Sequence, residues 1–243
     1  MVYPLGATNS TSHCLAENVP NILTKRDASG LSPVDIIGKH LHALGYQVKS
    51  QVLNAADFGV PQLRRRAFIV ATATGVEFEF PTATHLPCGK HPDLFRSASP
   101  YITVNQALSD LPDLDSGEGT DDPVPYKVTP QNEYQATIRK GSSGVTNHVA
   151  MKHSDRLVER FRLIGPGQSL KDAPLSHGQL AKLSGETVLK PFKYNNYRLD
   201  GTKPSLAIPA SFQSLFLHPA KDRNLTAREA ARLMGFPRSF GDG

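Results

Sequence analysis

The stretch Gly59-Val60-Pro61-Gln62-Leu63-Arg64-Arg65-Arg66-Ala67-Phe68-Ile69-Val70-Ala71 sets three arginines directly in front of an apolar run. Phe68-Ile69-Val70-Ala71 predicts a buried strand, and Pro61 fixes a turn before it. In an extended chain residues i and i+2 share a face. Gln62, Arg64 and Arg66 therefore point one way and Arg65 the other. Two guanidiniums and an amide on one sheet edge suit an anion or a planar, hydrogen-bonding ligand. Residue types alone also allow a second reading, a solvated row of charge guarding an edge strand.

The elements that must position these residues are legible on either side. In "LSPVDIIGKHLHALG", Ser32 is a helix N-cap, Pro33 suits the first helical position, and Asp35 can close a capping-box-like pair with Ser32. Val34, Ile37, Leu41 and Leu44 share a face, and Gly45 ends the helix. Tyr46–Leu53 reads as a strand. This order predicts an α/β unit, with a mainly parallel sheet over about 14–76. From Gly75 the texture becomes rich in proline and glycine, which predicts a separate loop-rich lobe. Within it "HSDRLVERFRLIGPG" reads as a helix, with Leu157, Phe161 and Ile164 on one face. Lys190, Phe192, Lys193, Tyr194, Tyr197 and Arg198 form a basic and aromatic cluster. Near the end, Thr226 and Glu229 make a T-x-x-E capping box, with Ala230, Leu233 and Met234 facing a core.

Composition limits the function classes. A chain of 243 residues with 39% hydrophobic content suits a soluble globular protein of one large or two small domains. A net charge of +5 permits a nucleic-acid partner without requiring one. No apolar run approaches the length of a membrane span, about 18 residues or more. The first residues lack the charged and apolar regions of a signal peptide, and a reducing, cytoplasmic location is expected. Two cysteines, Cys14 and Cys88, are too few for a disulfide framework or a zinc site, so no metal is expected.

Three stretches in order resemble the DNA cytosine-5 methyltransferase family. They are Glu17-Asn18-Val19, "LNAADFGVPQLRRRAFIVA" at residues 53–71, and "RNLTAREAARLMGFPRSF" at 223–240. The second carries the family's Gln-x-Arg-x-Arg block at Gln62, Arg64 and Arg66. The gap of about 150 residues before the third falls where the family keeps its target-recognition region. The resemblance covers Leu15–Val76 and about Lys203–Asp242.

The resemblance implies a fold and a chemistry. The fold is α/β, part of a Rossmann-like, S-adenosylmethionine-dependent methyltransferase sheet with a loop-rich target-recognition lobe. The implied division is 1–76 for the catalytic part, 77–209 for target recognition and 210–243 for a return to the catalytic part. The catalytic group is Glu17, Asn18, Arg64 and Arg66. Glu17 is placed at ring N3 of a flipped cytosine and Arg66 at its O2. Gln62, Lys190, Lys193, Tyr194 and Arg198 are expected to meet duplex DNA. The family usually has a threonine, a DNA-backbone contact, where Ala207 stands, so weaker DNA binding is expected.

S-adenosylmethionine is the implied cofactor, yet no residue of this chain is assigned to hold it. Neither the family's glycine-rich cofactor turn nor its Pro-Cys-Gln loop precedes Glu17. The glycine pairs Gly117/Gly119 and Gly165/Gly167 do not follow a buried strand into a helix. Cys88 follows a proline but lies after the arginine block, and Cys14 reads as a packing residue. The expectation is a C-terminal portion completed by a second chain. The alternative is an inactive remnant or a DNA-binding specificity subunit.

Overall fold

A computed structural model describes residues 12–87, 89, 98–174, 179–180, 187–188 and 195–237. Strand β1 spans His13–Asn18, helix α1 Pro33–Ala43, strand β2 Tyr46–Asn54, strand β3 Gln62–Leu63 and strand β4 Arg65–Ala73. Helix α1 starts as its sequence requires. The Ser32 hydroxyl accepts from the Asp35 amide at 3.1 Å, and the Asp35 carboxylate accepts from the Ser32 amide at 2.8 Å. Gly45 takes the left-handed φ of +82° that closes the helix.

The main sheet has the order β1-β4-β2, and β4 runs antiparallel to both neighbours. This corrects the expected mainly parallel sheet. The reason is the connection lengths. The α1 crossover makes β1 and β2 run the same way. The chain then returns from β2 to β4 through one short 3-10 turn, Ala55–Phe58, which suits only an antiparallel partner. Strand β4 slots between the two parallel strands and buries Ala67 and Ile69–Thr72, while Phe68 and Ala73 stay half-buried.

The flanks are less covered than the sequence pattern predicts. In α1 the buried residue is Gly38, Val34 and Leu41 are half-buried, and Leu44 is 60% exposed. Leu15, on the edge strand β1, is 62% exposed. Three strands are too narrow to cover both the helix and the sheet edge, so apolar surface stays open there.

The second body is built on another core. Val104, Ala107 and Leu108 pack with Leu199, Phe216, Leu225, Ala230 and Leu233. The end segment, read as a return to the catalytic part, thus gives its Ala227–Leu233 helix to the core of the middle region. The Asp155–Arg162 helix forms as expected and buries Phe161 beside Ile164. The two bodies are joined by a parallel pairing of β3 with Ser205–Leu206, in which Gln62 lies opposite Ser205 and Leu63 opposite Leu206. Among the described residues no helix is long and apolar enough to cross a membrane.

Under the second core lies a buried polar cluster. Arg223 forks onto Glu229, with Nη2 to Oε1 at 2.7 Å and Nη1 to Oε2 at 2.9 Å. Glu229 Oε2 also accepts from the Thr226 amide at 2.8 Å. His148 Nε2 lies 2.9 Å from the Pro112 carbonyl and so donates, which leaves Nδ1 to accept from the Thr226 hydroxyl at 2.9 Å. His218 approaches Glu229 at 3.7 Å. Burial lowers the His218 pKa to about 4, overriding the pull of Glu229, and burial also lowers those of His148 and His153.

The sign of this linkage gives an acid-sensitive lobe. A histidine whose folded pKa lies below its unfolded value of about 6.5 stabilises fully above that pH and loses its contribution as pH falls toward the folded value. His218 alone should cost about 2 kcal/mol of stability at pH 5 relative to pH 7.5. Thermal melts at the two pH values should show a drop that His218→Asn reduces. Equal pH dependence in the two proteins would refute it.

Candidate active site

Glu17 and Arg66 lie near the same end of the sheet because β1 and β4 are antiparallel neighbours. Glu17 stands opposite Phe68, and Arg66 stands one same-face position before it. Arg66 Nε meets Glu17 Oε1 at 2.8 Å, and Arg66 Nη1 is steadied by the Arg65 carbonyl at 2.8 Å. On the other side β2 sets Leu53 directly opposite Arg66. The 3-10 turn adds Ala55 and Phe58, and Pro81 closes the rim. The result is a cleft of about 330 Å³ whose polar lining residues are Glu17, Arg64 and Arg66. Its walls of Leu53, Phe58 and Phe68 are apolar. They lower the local dielectric and strengthen the charges against a bound ligand. Such a cleft suits a flat ring that offers an acceptor to an arginine and a ring nitrogen to a carboxyl group.

The cleft runs on into an apolar groove of about 500 Å³ lined by Leu15, Val70, Phe78 and Phe80, with Leu53, Phe68 and Pro81 common to both. Lys49 Nζ holds the covering segment by donating to the Phe78 carbonyl at 2.7 Å.

The structure sorts the sequence candidates. Glu17, Arg64 and Arg66 come together, and Arg65 is exposed on the opposite face of β4. Asn18 does not line the cleft. Its side chain accepts from the Val19 amide at 2.8 Å and shapes the strand end. Gln62 departs from the expected face. The Gln62 amide donates to Val60 O at 2.7 Å and the Arg64 amide to Gln62 O at 3.0 Å. These tight i to i−2 turns break the alternation between β3 and β4. Gln62 is consequently 1% exposed at the junction with Ser205. Its Nε2 has no hydrogen-bond partner among the described residues, and its burial takes it off the face that Arg64 and Arg66 share.

Arg198 is also corrected. All five of its N–H groups are used: Nε to Ile164 O at 2.6 Å, Nη1 to the His218 and Lys221 carbonyls, and Nη2 to Phe161 O and Asp222. It clamps three segments of the lobe from within and cannot reach DNA. Lys190, Lys193, Tyr194 and Cys88 lie outside the described residues. Cys14 is exposed on β1, not packed as expected, because β1 is an edge strand. Among the described residues no cluster of three metal-ligating side chains exists.

Sequence reasoning missed the cleft walls. Phe68 was within reach, since it shares a face with Arg66 by simple alternation. Leu53 needed the β2–β4 register, and Phe58 and Pro81 needed the tertiary fold.

Comparison with known proteins decides the family. The model of the C-5 cytosine-specific DNA methylase family matches residues 8–242. The chain belongs to the C-5 cytosine-specific DNA methylase family. It is similar to the type II methyltransferase M.DdeI of Desulfomicrobium norvegicum, 40% identical over 225 residues. That match covers 92% of this chain and 52% of M.DdeI. The type II methyltransferase M1.HphI of Haemophilus parahaemolyticus is 33% identical over 224 residues, covering 92% of this chain and 47% of its own length. The chain thus spans about half the length of these relatives. In fold it is similar to a solved structure from E. coli described as a DNA modification methyltransferase encoded within a prophage. The TM-score is 0.61 at 20% identity, covering 93% of this chain and 59% of that one.

Proposed function

We propose that this chain is the base-binding and DNA-recognition portion of a DNA (cytosine-5-)-methyltransferase that modifies duplex DNA in the cytoplasm, as part of a type II modification system. The observation that carries this reading is the Glu17–Arg66 pair at 2.8 Å in an apolar-walled cleft beside Arg64. A cytosine extruded from the duplex fits such a cleft. In it Arg66 holds the ring at O2, Glu17 places a carboxyl group at N3, and Leu53, Phe58 and Phe68 exclude water from the ring. Arg64 supplies positive charge at the mouth, suited to the passing backbone. The region 77–209 then serves target recognition, with Lys190, Lys193 and Tyr194 as further DNA contacts.

The described residues do not fit S-adenosylmethionine. A Cβ at Gly119 would meet the His148 carbonyl at 2.1 Å, so this glycine serves a close strand pairing. Gly165 and Gly167 follow the Asp155–Arg162 helix, where a cofactor turn should open one. No step is therefore routed through the methyl donor. We assign it, and the thiolate that adds to cytosine C6, to the part of the relatives that this chain does not span. The exposed Leu15 on edge strand β1 and the apolar groove beside it suit the docking of that part. With it the three strands become one end of a Rossmann-like sheet.

Radiolabelled methyl transfer to duplex DNA tests the reading. The purified chain should transfer no methyl group alone, and should do so when mixed with a family N-terminal portion. Transfer by the chain alone would overturn the division of roles. Failure with every N-terminal portion tried would favour the second reading, an inactive remnant or a DNA-binding specificity subunit.

A further inference from the structure

The 3-10 turn Ala55–Phe58 gives the cleft two of its lining residues, Ala55 and Phe58. So short a turn is marginal by itself, because 3-10 hydrogen bonds have poor geometry. Its start is tied to β4's side of the cleft, where the Ala55 amide donates to the Arg64 carbonyl at 2.9 Å. Its middle is gripped from outside, at Asp57. The Thr84 amide donates to the Asp57 carbonyl at 2.9 Å. The Tyr101 hydroxyl donates to Asp57 Oδ1 in a short hydrogen bond, and Asn54 Nδ2 reaches the same oxygen at 3.4 Å. Thr84 and Tyr101 flank a parallel pair of short strands, His85–Leu86 with Ser99–Pro100. This clip sits close on the turn: a Cβ at Gly59, where φ is +81°, would meet the His85 ring at 2.8 Å. Burial first, and then Asp57, push the Tyr101 pKa up to about 12, so the phenol stays a donor. Just past Tyr101, Thr103 caps the Val104–Leu108 helix, which packs in the second core.

We propose that Tyr101 is a positioning residue for the base cleft, holding the Phe58 wall in place through Asp57. Tyr101 itself lies outside the cleft lining and touches no reacting atom. The inference rests on the base-cleft reading above and adds a residue that acts from behind the wall. The bond from Tyr101 ends on a carboxylate, and such charge-assisted bonds are the strong ones. Asp57 directly precedes Phe58, so a shift of one is passed to the other within a single residue. The chain also runs from Tyr101 straight into the second core, and the same body pairs with β3 through Ser205–Leu206, next to Arg64. The Phe58 wall and the arginine segment are thus both referenced to the second body. Geometry of this kind matters to rate, since a misplacement of about 1 Å can cost about 10²-fold.

Tyr101→Phe keeps the ring and removes only the bond to Asp57. The chain contains no tryptophan, so Phe58→Trp places a single reporter in the cleft wall. In that background, acrylamide quenching of Trp emission should rise with Tyr101→Phe and equally with Asp57→Ala. Asp57→Asn keeps an acceptor for the phenol and should stay near the parent. The double variant Tyr101→Phe with Asp57→Ala should be no looser than either single one, because both remove the same bond. In the chain completed by a family N-terminal portion, with Phe58 intact, Tyr101→Phe should lower kcat for methyl transfer about tenfold and leave KM for duplex within about twofold. The melting temperature should stay at the parent value. Quenching that Tyr101→Phe leaves unchanged overturns the inference. So does a loosened wall with an unchanged kcat, or a fall in kcat that tracks a fall in melting temperature. Each of these leaves the base cleft standing wherever Glu17→Gln abolishes transfer. A Glu17→Gln enzyme that keeps its full rate overturns the base-cleft reading and this inference together.

Discussion

Glu17→Gln should lower methyl transfer by the completed enzyme about 10²- to 10⁴-fold while leaving duplex affinity within about twofold, the scale expected for loss of a positioned acid or base. Glutamine keeps an oxygen for Arg66 Nε, now 2.8 Å away, so the cleft should hold its shape. In the proposed function, what it loses is the carboxyl group at ring N3, which would steady charge on the ring only while the base reacts. The loss should therefore appear in kcat and spare KM. Arg66→Ala differs in kind. It removes the proposed contact to O2 and also leaves Glu17 without its partner, so base binding should fall along with the rate. Duplex binding should again change little, because in the proposed function Arg66 meets only the extruded base. Single-turnover transfer and gel-shift titration on the same preparations measure both effects. A tenfold or smaller loss of rate in Glu17→Gln would remove this carboxyl group from the mechanism.

Glu229→Ala should destabilise the second body by about 3–5 kcal/mol, because it strands the Arg223 charge in the core. Arg223 and Glu229 side chains are 1% and 2% exposed, and their fork is closed by two hydrogen bonds. Burial by itself pushes the Glu229 carboxyl toward protonation. Arg223 and His218 outweigh it and hold the pKa below the usual range. The substitution also removes the acceptor for the Thr226 amide and with it half of the cap on the Ala227–Leu233 helix. Replacing both partners, Arg223→Met with Glu229→Leu, should recover part of the loss, since no lone charge is then left behind. Urea unfolding at neutral pH is the measurement. A loss below about 1 kcal/mol in Glu229→Ala would show that water reaches the cluster.

Arg198→Lys provides a contrast with its expected role on DNA. One ammonium cannot replace five N–H groups in a fixed fork. The expected result is a less stable lobe, while salt dependence of DNA binding stays as in the parent chain.

The sequence by itself determined what depends on neighbours along the chain. Two of the capping boxes, Ser32 with Asp35 and Thr226 with Glu229, were readable because a cap involves only residues three apart. The Gly45 terminator, the helix around Phe161 and the buried strand after the arginines were readable for the same reason. So were Glu17, Arg64 and Arg66, because three family blocks stand in order. Tertiary structure alone decided the rest. Strand β4 entered between β1 and β2, and this choice turned the sheet antiparallel and brought Arg66 to Glu17. Two i to i−2 turns rotated Gln62 away from Arg64, which no alternation rule could foresee. Arg198 and Glu229 became buried, since a charged side chain gives no local sign that its partners lie 24 and 6 residues away. The physical reason is common to these cases. Local hydrogen bonds are settled by sequence spacing, while strand order and the burial of charge are settled by which distant surfaces must pack together.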